Sequence, residues 1–268
     1  MLINEKTAVS SSKDLLVPYS RHHVPRYHEW MKDPEIQEAT ASEPLSLDEE
    51  YAMQASWRND ADKLTFIICS PLPTTTEVQP ETAISDPRFD APEMMVGDVN
   101  LFLRLEEDGD DDDDDSDNES ETSGRGSSAG TPHVVGEVEL MVAEKTNQRK
   151  GFGRAALICF LKYILDHEDE IVAEFLKGTR GYYYHGSEDT PPTTTTCQPK
   201  LSYLVVKIGQ SNTRSLALFE SLAFKRVTEK PNIFGELELR RFGLGADDVK
   251  DLLDRYDIRG YRELIYER

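Results

Sequence analysis

Residues 136–165 read GEVELMVAEKTNQRKGFGRAALICFLKYIL. The first part continues an apolar, β-branched run, so His133–Glu144 is expected to form a strand. A polar turn follows, Gln148-Arg-Lys-Gly151-Phe-Gly153, and then an amphipathic helix over Gly151–His167. Gly151 and Gly153 let the backbone turn tightly and approach a ligand closely. The helix start aims unpaired N–H groups and the positive end of its dipole at that turn, an arrangement that holds a pyrophosphate. Arg149, Lys150 and Arg154 add positive charge in an acidic chain. Taken alone, G-x-G before a helix is at least as well explained by a tight connection with no ligand. The dinucleotide fingerprint has three glycines, and the Walker loop ends in Gly-Lys-Ser/Thr; this turn has neither.

On the N-terminal side, Leu15–Tyr19 reads as a first strand, and His22–Met31 and Asp48–Arg58 as helices. Ser46 and Glu49 have the spacing of a capping box for the second helix. Lys63–Ser70 is a buried-strand candidate, and Met94–Leu105 alternates as a strand. On the C-terminal side, Leu201–Ile208 is a strand, Thr213–Leu222 a helix, and Phe224–Thr228 and Ile233–Arg241 two more strands. Asp247–Tyr256 has the pattern of a terminal helix. Three stretches carry no hydrophobic period and read as low-order insertions: about 71–93, 106–132 and 168–200. Strands alternating with helices and hairpins make the class mixed α/β, with one domain over 1–242 and a C-terminal extension over 243–268.

The chain has 268 residues and a formal net charge of −21, with 12 carboxylates concentrated in Glu106–Glu121. Phosphate contacts need a basic surface, so nucleic-acid binding is not expected. Cys69 and Cys159 lie in apolar runs and read as small core residues; with Cys197 they form neither a disulfide framework nor a zinc spacing. The start, MLINEKTAVSSSKDLL, lacks the apolar stretch of a signal peptide, and no run reaches ~18 apolar residues, so no membrane span is expected. A cytoplasmic location is expected, with the nucleus as the alternative. His22, His23 and His28 read as residues of a surface helix, and no metal is expected.

Context changes the weight of the glycine turn. Q-x-x-G-x-G after the ELMVA strand resembles the coenzyme A-binding motif of the GNAT acetyltransferases. Downstream, GQSNTRSLALFESLAFKRV resembles the second half of that family's signature: a strand, an Asn, then a helix. Residues 15–69, 94–105, 133–166 and 201–241 resemble the N-acetyltransferase 9-like branch in particular. The resemblance implies the GNAT fold and an N-acetyltransferase that uses acetyl-CoA on an amine, a protein N-terminus first of all. Tubulin chains are its implied protein partner. Acetylation of a lysine or small amine, and a non-catalytic acetyl-CoA-binding module with a protein partner, are the alternatives.

The same resemblance assigns roles. Main-chain groups of Met141, Val142 and Ala143 would hold the pantetheine arm and the acetyl carbonyl, one N–H stabilising the oxyanion. N–H groups of Arg149, Lys150, Gly151, Phe152, Gly153, Arg154 and Ala155, behind Gln148, would hold the pyrophosphate. Asn212 and Ser215 would touch the coenzyme, although Asn212 equally suits a helix N-cap. Glu137 and Glu139 lie two apart on one strand and share a face. Glu137 stands eleven residues before Gln148, a spacing like that of the family's catalytic glutamate. Either serves as the base, or both belong to a salt-bridged sheet face. One departure stands out: Phe219 occupies the place of the family's acidic Tyr, and Ala223 that of its Gly.

Overall fold

A computed structural model describes residues 1–73, 83–106, 133–183 and 200–268; most of the acid run, Thr193–Thr196 and Cys197 lie outside them. The described residues form a nine-stranded sheet in the order β7-β8-β6-β5-β4-β3-β2-β1-β9. The strands are β1 Thr7–Ser10, β2 Leu15–Pro18, β3 Lys63–Cys69, β4 Met95–Glu106, β5 His133–Val142, β6 Leu201–Gly209, β7 Lys225–Arg226, β8 Glu236–Phe242 and β9 Arg262–Ile265. The helices are α1 Val24–Trp30, α2 Pro34–Ala39, α3 Leu47–Asn59, α4 Phe152–Asp166, α5 Glu168–Tyr183, α6 Thr213–Ser221 and α7 Ala246–Arg255. Every ladder is antiparallel except β5–β6. A parallel pair needs a long crossover, and α4 and α5 supply it.

Alternation along the strands separates two cores. On one face Leu64, Phe66, Val99, Leu101 and Val138 pack with α4, Phe175 of α5, Phe219 of α6 and Leu252 of α7. On the other, Val17, Ile67 and Met141 pack with Val24, Tyr27 and Trp30 of α1. Burying α4 on nearly all sides (Ala155 to Leu161 without a break) makes it the spine of the first core.

Several expectations are corrected. Glu168–Tyr183, expected as part of a low-order stretch, is helix α5, and Ile171, Val172 and Phe175 are buried by it. Spaced by one, three and four residues, these three make an apolar stripe that the polar composition hides. Residues 243–268 are not a separate extension: β9 pairs with β1 through Thr7–Ser10 and closes one edge of the sheet. The strand β1 itself was not expected, because TAVS is too short to show a period. In the first insertion, Ile84 bridges Tyr266 and Asp90 is fully buried, so residues 83–93 are part of the packed structure. The capping box is present: the Ser46 hydroxyl accepts from the Glu49 N–H, and Glu49 accepts from the Ser46 N–H.

Ala223 follows α6 in the left-handed region, φ 65°. A Cβ in this region is strained. Ala223→Gly is expected to raise stability by about 1 kcal/mol, read from urea unfolding.

Candidate active site

The two central strands part. The register of β5 with β6 runs from Val134↔Leu201 to Glu137↔Val205 and stops. β5 continues against β4 to Gly97↔Val142, and β6 continues against β8 to Gly209↔Glu236. The half of β5 from Val138 to Val142 therefore has an edge open toward β6. The Ala143 N–H donates to the Val96 carbonyl at 3.0 Å. Alternation in an antiparallel pair turns Met141 the same way and turns Leu140 and Val142 toward the open edge. Of Met141, Val142 and Ala143, it is thus Val142 that presents main-chain groups to the gap. Its carbonyl accepts from Gln148 Nε2 at 3.4 Å, which folds the turn back onto the strand end.

The turn itself contains a 3₁₀ turn over Lys145–Asn147, then Arg149 at φ 63° and Gly151 at φ 93°. Gly151 caps α4, and a Cβ on it would touch nothing, so its backbone angle is the reason for glycine. Gly151→Ala is expected to cost ~1–2 kcal/mol of stability, measured by denaturation, without a steric clash. At Gly153 the reason is space: a Cβ would stand 3.1 Å from Leu140 and 3.4 Å from Val142 side-chain carbons. The start of α4 leaves the N–H groups of Gly151, Phe152, Gly153 and Arg154 facing the turn. Ala155 is different: its N–H donates to the Gly151 carbonyl at 3.0 Å and its side chain is buried. Arg149 and Lys150 are exposed, whereas the Arg154 guanidinium lies 4.4 Å above the Tyr256 ring of the segment after α7.

Two candidate glutamates have different surroundings. Glu137 Oε2 is held by Arg104 at 3.2 Å and Lys207 at 3.1 Å. No ion pair of this kind holds Glu139 among the described residues. Glu139 is exposed, whereas Glu137 is half-buried. Loss of water around it, then the negative charges of Asp98 and Glu137, push its pKa up to about 7; Lys207 opposes and Glu236 adds to the rise. A carboxylate titrating near neutrality beside an open strand edge has the properties of a general base.

Behind Glu139 lies a polar pair that sequence reasoning missed. Asn100 is directly opposite Glu139 on β4, and Asp98 is two residues along on the same face. Both are buried. Asp98 accepts from Tyr27 Oη at 3.2 Å and from Asn100 Nδ2 at 2.9 Å. Burial raises its pKa to about 6 against those two hydrogen bonds. The available signal was D-x-N within MVGDVNLFL, two polar residues on one face of an apolar strand. Also missed was Glu144, which accepts from the Trp30 indole N–H at 2.9 Å and pairs with Arg26, pinning α1 to the end of β5.

Asn212 is the N-cap of α6, its Oδ1 accepting from the Ser215 N–H at 3.1 Å; Asn212 is exposed and Ser215 half-buried. Phe219 is buried and packs edge-on against Phe224 at 5.2 Å.

His28 lies on α1 and is half-buried, but His22 and His23 precede that helix. His22 and His23 end a 3₁₀ turn, His23 is fully buried, and their Nε2 atoms stand 2.8 and 3.4 Å from Asp90 Oδ2. This trio is the grouping with metal-ligand proximity among the described residues. Its chemistry does not favour an ion. His23 Nδ1 accepts the Ser20 N–H at 3.0 Å, which leaves the proton of the neutral ring on Nε2, where a metal would need a lone pair. Burial drives the His23 pKa down to about 4, so the ring stays neutral. Asp90 also accepts from Tyr266 Oη at 2.6 Å and pairs with Arg268. The trio ties the first insertion and the C-terminus to the N-terminal half.

A parallel strand pair that parts ahead of a glycine-capped helix is the frame of an acyl-coenzyme A transferase, and the sequence comparisons agree. An acetyltransferase (GNAT) domain model matches residues 15–225, and the chain belongs to that family. It is an acetyl-transferring enzyme of the N-acetyltransferase 9-like group. An N-acetyltransferase 9-like protein of Schizosaccharomyces pombe is 38% identical over 244 residues, covering 90% of this chain and 99% of its own. The alpha/beta-tubulin-N-acetyltransferase 9 of Drosophila melanogaster is 36% identical over 259 residues, covering 97% and 98%. A solved GNAT-family acetyltransferase from Bacillus anthracis is 12% identical with a TM-score of 0.48, covering 88% and 98%. Among the described residues no helix is long and apolar enough to cross a membrane.

Proposed function

We propose that the chain transfers acetyl from acetyl-CoA to the N-terminal amine of a protein, a tubulin chain being the acceptor suggested by the names of its relatives. The observation that carries this reading is Glu139, a carboxylate that no cation pairs with among the described residues, on β5 beside its open edge. The pyrophosphate rests on the N–H groups of Arg149 to Arg154, with Gln148 holding the turn. Ala155 contributes packing, since its N–H is already used. The pantetheine arm lies along the free edge, and the Val142 N–H faces the acetyl carbonyl, where it stabilises the developing oxyanion. Met141 and Ala143 turn their main-chain groups to β4 and so brace that edge. Asn212 and Ser215 border the coenzyme from α6.

The acceptor amine loses a proton to Glu139 and attacks the thioester carbonyl. The carbon–nitrogen bond forms, the carbon–sulfur bond breaks, and the thiolate takes up a proton. A thiol near pKa 8.5 leaves as thiolate with little help, so a buried Phe219 in place of a tyrosine is compatible with turnover.

The test is acetyl transfer from acetyl-CoA to short peptides with the N-terminal sequences of α- and β-tubulin, against the same peptides with a blocked N-terminus and an internal lysine. Acetylation confined to the free N-terminus is the expected result; acetylation of the lysine alone would replace this acceptor with the other. Turnover is expected to rise with pH through about 7, as Glu139 loses its proton.

A further inference from the structure

The pairing of β3, β4 and β5 places Thr65, Asn100 and Glu139 in one straight row on the face covered by α1 and α3. Asp98 stands beside the row, with Tyr27 over it. In this layer Asp98 Oδ1 and Asn100 Oδ1 are buried, and neither finds a hydrogen-bond donor among the described residues. Both residues are nine-tenths buried or more, at 1% and 4% exposure. Leaving such acceptors without a donor is costly, so the arrangement calls for a group that brings hydrogens. The row reaches solvent at Glu139, which is exposed and directly opposite Asn100; the charges acting on Glu139 are Asp98, Glu137, Lys207 and Glu236. Lys207 is taken by Glu137 at 3.1 Å. The layer is therefore rich in acceptors and short of cations.

We propose that Glu139, Asp98 and Asn100 form a cradle for the protonated amine of the acceptor. A primary ammonium has three N–H donors, and the cradle offers three acceptors: the Glu139 carboxylate, Asp98 Oδ1 and Asn100 Oδ1. The acceptor thus binds as a cation. One proton then passes to Glu139, which frees the nitrogen lone pair for the thioester; after attack a second proton leaves the nitrogen for the departing thiolate. Tyr27 Oη and Asn100 Nδ2 hold the other Asp98 oxygen and so fix the direction of the free one. Asp98 is a recognition residue for the substrate class, cations with a primary amine, and is distinct from the base. The proposal rests on the reading of Glu139 as base.

The test measures binding with the enzyme saturated with coenzyme A, so that no turnover occurs. Two probes are titrated by calorimetry at pH 7.5, where Glu139 is mostly ionised and much of the α-amine is still protonated: a short tubulin N-terminal peptide, and the same peptide with its α-amine replaced by hydrogen. The wild-type enzyme is expected to prefer the free-amine peptide at least about tenfold, the range of a charge-assisted hydrogen bond. Asp98→Asn keeps the shape and the acceptor for Tyr27 and is expected to reduce the preference to about twofold or less. Asn100→Ser removes one acceptor without touching charge and gives an intermediate preference, which keeps the proposal testable should Asp98→Asn fail to fold. An undiminished preference in a folded Asp98→Asn or Asn100→Ser variant overturns the cradle. Failure of the base reading is separate: Glu139→Gln would then turn over normally while Asp98→Asn still loses the preference.

Discussion

Glu139→Gln is expected to lower kcat by ~10²–10⁴-fold at pH 8, with the affinity for acetyl-CoA unchanged. The glutamine fills the same space and keeps a polar end beside the open edge, but it takes no proton. In the proposed site the coenzyme rests on the Arg149–Arg154 turn and on main chain, so its affinity does not sense the change. Steady-state rates with a tubulin N-terminal peptide, together with a binding titration of acetyl-CoA, separate the two effects. In the wild-type enzyme the rate falls as pH drops through about 7, because burial and the charges of Asp98 and Glu137 hold Glu139 protonated there. That acid limb should vanish from the small residual rate of the variant. Glu137→Gln is the control. Its carboxylate is engaged by Arg104 and Lys207 and has no need to exchange a proton, so a loss under about tenfold is expected. The reverse order of effects would move the base to Glu137.

Gly97→Ala is expected to cost at least ~3 kcal/mol, at the upper end of overpacking losses. A Cβ at Gly97 would lie 1.8 Å from the Met141 carbonyl oxygen, 2.8 Å from the Met141 carbonyl carbon and 3.1 Å from Val142 Cα. All three are backbone atoms of β5, so no rotamer change relieves the clash. The strands β4 and β5 must separate where the open edge begins, and the Val142 N–H moves with them. Urea unfolding measures the loss in stability, and acetyl-CoA affinity should fall with it. Gly136→Ala supplies the contrast. Its Cβ would meet side-chain ends, Leu101 at 2.7 Å and Leu204 at 3.0 Å, which shift more cheaply. A loss of about 1–2 kcal/mol is expected there. Equal losses at the two positions would mean that β4 and β5 yield more readily than their ladder suggests.

The readable parts of this chain are local. Gln148, Gly151 and Gly153 declare the turn because every residue that shapes it lies within a few positions, and the structure places Gly151 at φ 93° at the cap of α4. The capping box at Ser46 is local in the same sense. The apolar stripe of α5 was masked by acids and a glycine, although three buried residues at helical spacing lay within it. β1 and β9 are four residues each, and each becomes a strand because the other lies beside it.

By itself the sequence determined a strand, a glycine turn and a helix in that order, with two glutamates sharing one face of the strand. The proposed choice between the glutamates comes from the tertiary structure alone. Arg104 and Lys207 reach Glu137 from positions 33 and 70 residues away in sequence, on the two strands flanking β5. Asp98 raises Glu139 from across β4. Charge at a site is a sum over neighbours in space. The strand order β6-β5-β4, set by a crossover through α4 and α5, chooses those neighbours.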